Sequence, residues 1–254
     1  MTGFLIDLDG VLRRGAVPIE GAPELLQVLK EFSYLIVTNN STRTAEEYAV
    51  DLQSIGLPLD PPHILTSAQA TALFLKSNRS YSTAWVVGER GLLSEIKTIG
   101  YDISETGECV VVGWDRTLDY NKLKTACLAI RNGAEFIGTN PDLTYPSEEG
   151  IIPGCGAILA FLEACTSQSP LIIGKPAGLI MEIALNRLQE PEVYVIGDRL
   201  DTDIQAGINA GLKTILVLTG IETEESLSVS PIQPTLVCND LQELTDFIQS
   251  QGKS

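Results

Sequence analysis

The chain of 254 residues carries 33 acidic against 17 basic residues, a net charge of −16, with 44% apolar and 20% charged residues. That charge balance excludes nucleic acid and anionic membrane as partners, because both recruit clustered lysine and arginine. No apolar run comes near the about 20 residues that cross a bilayer, which excludes a membrane span. The five cysteines, Cys109, Cys127, Cys155, Cys165 and Cys238, are odd in number and contain no C-x-x-C. With no secretory leader ahead of them, they predict reduced thiols in a cytoplasmic protein, each a small buried hydrophobe.

In chain order, the apolar residues of FLIDLDGVL (4–12) predict a first buried strand. Pro23 suits the first turn of a helix running to about Phe32. YLIV (34–37) is the second strand and ends in VTNN. Thr44 and Glu47 form a capping box for a helix whose Tyr48, Leu52 and Ile55 fall at i, i+4 and i+7, closed by Gly56. His63, after Pro61-Pro62, reads as an exposed loop residue. WVV (85–87) and VVV (110–112) are further strands, and an amphipathic helix through Leu123, Cys127 and Ile130 stops at Gly133. SEEGIIPGCGAI (147–158) is the densest cluster of turn-formers and lies away from the strand ends, so it reads as a presented loop. LII (171–173), VYVI (193–196) and TILVL (214–218) complete the series. Short apolar runs alternating with helical patterns predict an α/β fold, a parallel sheet covered by helices. No linker or internal repeat divides it.

Four of the strand ends carry polar residues: Asp7 and Asp9, Thr38, Lys175, and Asp198. In an open α/β sheet the carboxyl ends of the strands line the ligand crevice, so these segments converge. Each alone has a bland reading: a capping turn at Asp7, a strand end at Thr38, a solvated turn at Lys175, an Asx turn at Asp198. A calcium loop does not fit, since Gly10 stands at loop position 4 where an EF-hand needs glycine at position 6. Together the residue types match phosphoryl transfer. A carboxylate nucleophile splits the displacement in two, and a second carboxyl serves as acid and then base. In extended backbone residues i and i+2 share a face, so Asp7 and Asp9 can supply that pair. A divalent cation such as Mg²⁺ would offset their repulsion of a phosphate, with Asp198 as a further ligand. Lys175 supplies positive charge, while Thr38 and the amides of Asn39 and Asn40 donate hydrogen bonds to the phosphoryl oxygens.

The order Asp-x-Asp, Thr, Lys, Gly-Asp-x-x-x-x-Asp resembles the four motifs of the haloacid dehalogenase superfamily. The stretches VTNNSTRT (37–44), FIGTNPD (136–142), GIIPGCGAI (150–158), IIGKP (172–176) and GDRLDTDI (197–204) resemble its NagD-like, 4-nitrophenyl phosphatase branch, and the likeness covers nearly the whole chain. The resemblance implies that Asp7 is the nucleophile, Asp9 the general acid and base, and Thr38 and Lys175 the phosphate binders. It implies Mg²⁺ on Asp7, the backbone carbonyl of Asp9 and Asp198, with Asp203 supporting them. It further implies a Rossmann-like core, residues 1–78 and 174–254, interrupted by a large α/β cap over 79–173. In that branch the cap segment carrying Asn140, Asp142 and Tyr145 faces the active site, which makes Asn140 and Asp142 candidate substrate contacts, although Asn-Pro-Asp is also an ordinary turn. The expected partner is a small phosphate ester, with a homodimer through the cap as the assembly to test.

Competing readings are narrower. A receiver domain is about half this length and sets its acceptor on a middle strand. The G-x-G-x-x-G of a dinucleotide enzyme and the G-x-x-x-x-G-K of a Walker loop are both missing. A phosphotransferase or mutase shares the chemistry and differs in the acceptor. A non-catalytic phosphometabolite-binding protein would be expected to have lost Asp7 or Asp9, and both are present.

Overall fold

The computed structural model describes residues 2–147 and 149–252. Strand β1 (Thr2–Ile6) leads through the small hairpin β2 (Arg13–Arg14) and β3 (Val17–Pro18) to α1 (Ala22–Leu29), β4 (Ser33–Thr38) and α2 (Ala45–Ser54). Strand β5 (Ile64–Thr66), α3 (Ser67–Asn78), β6 (Thr83–Val87), α4 (Arg90–Thr98), β7 (Asp102–Ile103), β8 (Cys109–Val112), α5 (Tyr120–Arg131) and β9 (Glu135–Gly138) follow. Next come β10 (Thr144–Ser147), β11 (Gly150–Pro153), α6 (Cys155–Thr166), β12 (Leu171–Ile172), α7 (Gly178–Leu188) and β13 (Glu192–Gly197). The last elements are α8 (Gln205–Asn209), β14 (Lys213–Val217), α9 (Glu224–Val229), β15 (Leu236–Cys238) and α10 (Leu241–Gln251). Among the described residues no helix is long and apolar enough to cross a membrane.

The chain forms two compact units. The first takes the residues up to Thr38, Glu46–Leu65 and those from Lys175 on; the second takes Asn39–Ala45 and Thr66–Gly174. Helix α3 and the turn after β4, which sequence alone assigned to the core, thus fall in the second unit. The reason is packing: α3 lies on α4. The turn is held by Gly91 N donating to Thr42 O at 3.0 Å and by Trp114 N donating to Ser41 Oγ at 3.3 Å.

In the first unit six strands run in the order β15-β14-β13-β1-β4-β5. β1 is parallel to both β13 and β4, with Ile6 opposite Ile196 on one side and Ile36 on the other. Phe4, Leu5 and Ile6 are buried; they read as a continuous apolar run because both faces of a parallel sheet are covered. The second unit has a five-stranded parallel sheet, β12-β9-β8-β6-β7. Its core gathers Val87, Val110, Val112, Phe136, Ile158 and Leu162.

Three local expectations change. SEEGIIPGCGAI is not a presented loop: β10 and β11 pair antiparallel and Cys155 opens α6. Helix α1 stops at Leu29, short of Phe32. His63 is half-buried, its ring stacked on Tyr34 with centroids 4.5 Å apart.

Candidate active site

The parallel register of β4, β1 and β13 sets their carboxyl ends level, and the chain leaves β1 directly into Asp7, whose N–H donates to Ile196 O at 2.9 Å. The residues that follow must turn sharply beneath Asp198. Gly10 has φ of 93°, and a Cβ there would overlap the Asp198 carboxylate. A Cβ at Gly220 would do the same from the loop after β14. Both glycines are therefore required by how closely backbone packs against that acid. Ile221 N donates to Asp198 Oδ2 at 2.8 Å, and Thr219 Oγ1 donates to Gly10 O at 2.8 Å, locking the two loops together.

Lys175 is 3% exposed. Its Nζ donates to Asp7 Oδ1 at 2.5 Å, to Val37 O at 2.9 Å and lies 2.7 Å from Asp203 Oδ1. An ammonium has three N–H donors, and all three are used. Burial alone would lower its pKa, but Asp203 and Asp7 outweigh it and hold the group charged, well above the usual lysine range. The pKa of Asp7 is raised as well: burial lifts it well above the ordinary carboxylate range, Lys175 offsets part of this, and Asp203 and Asp198 add to it. Asp198 is pushed up to about 7, by burial and then by Asp203, against the pull of Ile221 N and Lys175. Single carboxylate oxygens of Asp7, Asp198 and Asp203 lie within 4.8 Å of one another. Asp198 Oδ1 is buried and accepts no hydrogen bond. Three crowded acids with one lysine between them and an unused buried oxygen have the donor set of a hard divalent cation, which takes carboxylate oxygens and offsets their mutual repulsion.

The carboxylate of Asp9 is not one of the three in that cluster. Its Oδ1 accepts from Arg13 Nε at 2.9 Å, and the Arg13 guanidinium lies 5.4 Å from the centre of the Tyr48 ring. Thr38 is buried at the end of β4.

The remaining candidates belong to the second unit. Asn39 Nδ2 donates to Asp142 Oδ2 at 3.1 Å, and Asn39 O accepts from Ser67 Oγ at 2.5 Å and Asn140 Nδ2 at 2.8 Å. Asn40 Oδ1 takes Thr42 N at 3.0 Å and Thr42 Oγ1 at 2.8 Å, an Asx turn. Asn140 is 3% exposed, and its Oδ1 accepts from Asp142 N at 3.2 Å. Both ends of that amide are therefore engaged inside the protein, where sequence alone suggested contact with substrate. Tyr145 packs on Trp114, ring centroids 4.4 Å apart. So the structure brings Asp7, Asp198, Asp203 and Lys175 together in one unit, and Asn39, Asn140 and Asp142 together in the other.

Sequence reasoning missed Arg13, Gly220 and Ile221. A usable signal existed: Thr219-Gly220 follows the strand TILVL directly, as Asp7 follows β1.

A family model described as haloacid dehalogenase-like hydrolase matches residues 4–102, and a second, HAD-hydrolase-like, matches 172–244. An acid sugar phosphatase from Staphylococcus haemolyticus is 41% identical over 245 residues, 94% of this chain and 93% of that protein. The crystal structure of a 4-nitrophenylphosphatase from Thermotoga maritima superposes with a TM-score of 0.93 at 34% identity, covering 97% of each chain. A glycerol phosphate phosphatase from Mycobacterium tuberculosis in complex with magnesium gives a TM-score of 0.89 at 35% identity, over 95% of this chain and 75% of that one.

Proposed function

The chain belongs to the haloacid dehalogenase-like hydrolases and is a phosphatase of their NagD-like, 4-nitrophenyl phosphatase type, and from that premise we propose a Mg²⁺-dependent monoesterase for small sugar and polyol phosphates that works through an aspartyl phosphate on Asp7. The observation that carries this reading is the cluster of Asp7, Asp198 and Asp203 around Lys175. The substrate class is supported by the names of two similar proteins, an acid sugar phosphatase and a glycerol phosphate phosphatase. A cytoplasmic setting accords with five free thiols; burial pushes the Cys109 and Cys155 thiols up to about 12, which makes them inert.

In the first displacement a carboxylate oxygen of Asp7 bonds to phosphorus as the ester oxygen departs, taking the proton of Asp9. In the second, Asp9 removes a proton from water, whose oxygen attacks phosphorus, and the bond to Asp7 breaks to release inorganic phosphate. Thr38 and the N–H groups of Asn39 and Asn40 hold the phosphoryl oxygens in this reading. Lys175, kept charged by Asp203, balances the charge on Asp7 and on the group it receives. Asp7, the carbonyl of Asp9 and Asp198 would hold Mg²⁺, supported by Asp203, and the ion when bound supplies the positive charge that lets a phosphate dianion approach these carboxylates.

Dialysis against EDTA should bring phosphate release from glycerol phosphate and from 4-nitrophenyl phosphate down to background, and added Mg²⁺ should restore both. Activity that survives complete chelation would contradict the metal assignment.

A further inference from the structure

We propose that Asn140 is a positioning residue for the phosphate end of the site, acting through Asn39, the residue joined in the chain to Thr38. The inference rests on the reading above, in which Thr38 and the N–H of Asn39 hold the phosphoryl oxygens and Lys175 balances their charge. Within the second unit the Asn140 amide reaches three places at once. Its Nδ2 donates to Asn39 O at 2.8 Å and to Thr139 Oγ1 at 3.2 Å, while its Oδ1 accepts from Asp142 N at 3.2 Å. Asn39 is held a second time by Ser67 Oγ on its carbonyl and a third by its own amide on Asp142. The return crossing lies against the same knot. Gly174 N donates to Thr139 O at 2.9 Å, and a Cβ on Gly174 would stand 2.5 Å from that carbonyl, 2.6 Å from Asn39 Oδ1 and 3.1 Å from Asn140 Cβ. No side chain fits there without shifting backbone.

The knot is itself anchored. Gly156 N, in the first turn of α6, donates to Asp142 O at 2.8 Å, and Gly154 N donates to Leu143 O at 2.9 Å. A Cβ at Gly154 or Gly156 would overlap the carbonyl of Asp142 or Pro141. The Asn140-Pro141-Asp142 turn is thus pressed onto the start of a helix on one side and grips Asn39 on the other.

The consequence is a distinctive kinetic pattern. Thr38 and Lys175 act on the part that every phosphate ester shares, so loosening Asn39 should weaken all esters equally, and inorganic phosphate with them. A residue that touched the leaving group would discriminate between esters. For Asn140→Ala the expected loss in kcat/KM is about tenfold, the worth of one well-placed buried hydrogen bond. It should be the same factor for glycerol phosphate and 4-nitrophenyl phosphate and should appear mainly in KM. The inhibition constant of inorganic phosphate should rise by a similar factor.

The test measures both esters, phosphate inhibition and Tm on wild type, Asn140→Ala and Ser67→Ala. The last removes the other donor to Asn39 O, and should show the same pattern at about threefold should Asn140→Ala fail to fold. A loss larger for glycerol phosphate than for the nitrophenyl ester would overturn the positioning role in favour of a leaving-group contact. A fall in Tm with unchanged kinetics would overturn it in favour of a purely structural one. A wild-type protein that hydrolyses neither ester would overturn the reading of the site itself, a result separate from either of these.

Discussion

Asp7→Asn should lower turnover of every phosphate ester by about 10⁴-fold or more, the scale on which removal of a nucleophile acts. The amide is nearly isosteric, and its oxygen can still accept the short hydrogen bond from Lys175 Nζ, but it cannot form a phosphoryl ester and return. The fold should survive. Asp7 has its pKa raised well above the usual range by burial and by Asp203 and Asp198. An acid whose folded pKa exceeds its unfolded value subtracts stability as pH rises past the unfolded value, and the amide carries no such penalty. In EDTA at neutral pH the variant should therefore melt no lower than the wild type. A folded Asp7→Asn protein with near-normal initial rates would remove Asp7 as the nucleophile.

Lys175→Met carries the second largest effect, and it falls on activity and stability together. The ammonium lies between Asp7 and Asp203 and also caps the carbonyl of Val37. Losing a charged donor aimed at the developing charge should cost about 10²–10³-fold in kcat/KM. Breaking a buried ion network by removing one partner costs about 3–5 kcal/mol, because the remaining charges are left uncompensated. That second loss should be largest in EDTA and partly recovered by Mg²⁺, which can neutralise the same carboxylates. Melting curves with and without the ion, beside steady-state rates, check both parts. A loss confined to Tm would make the lysine structural; unchanged rates and unchanged Tm would contradict the geometry outright.

What was legible in the sequence was whatever local pattern controls. The cores of β1, β4, β13 and β14 are uninterrupted apolar runs because both sheet faces are covered, and the polar residue that ends each run marks its carboxyl end. From that alone Asp7, Thr38 and Asp198 fall on one edge, and the parallel register of β1 with β4 and β13 does bring them level. What stayed hidden depends on partners far away in the chain. The glycines of GIIPGCGAI resemble turn-formers, but Gly154 and Gly156 are glycine because carbonyls of Asp142 and Pro141 leave no room for a side chain. Asn140 reads in the sequence as a substrate contact or an ordinary turn, and its carbonyl partner Asn39 is 101 positions away. Arg13 stands beside Arg14 and carries no motif, yet its side chain is buried, with the guanidinium against Asp9 and the Tyr48 ring. No local periodicity announces any of these three.

A phosphoryl group carried by Asp7 during hydrolysis can be trapped on the protein. Asp9→Asn removes the base needed for the second displacement, and 4-nitrophenyl phosphate has a leaving group good enough to depart without the acid needed for the first. Acid quench of that variant with Mg²⁺ and 4-nitrophenyl phosphate, followed by proteolysis and mass spectrometry, should find the mass of one phosphoryl group on the peptide spanning residues 1–13, and fragmentation should place it on Asp7. In Asp7→Asn the same peptide should carry none. A phosphoryl group on any other residue, or an Asp9→Asn protein that turns over the ester while its Asp7 peptide stays unmodified at every quench time, would contradict the account.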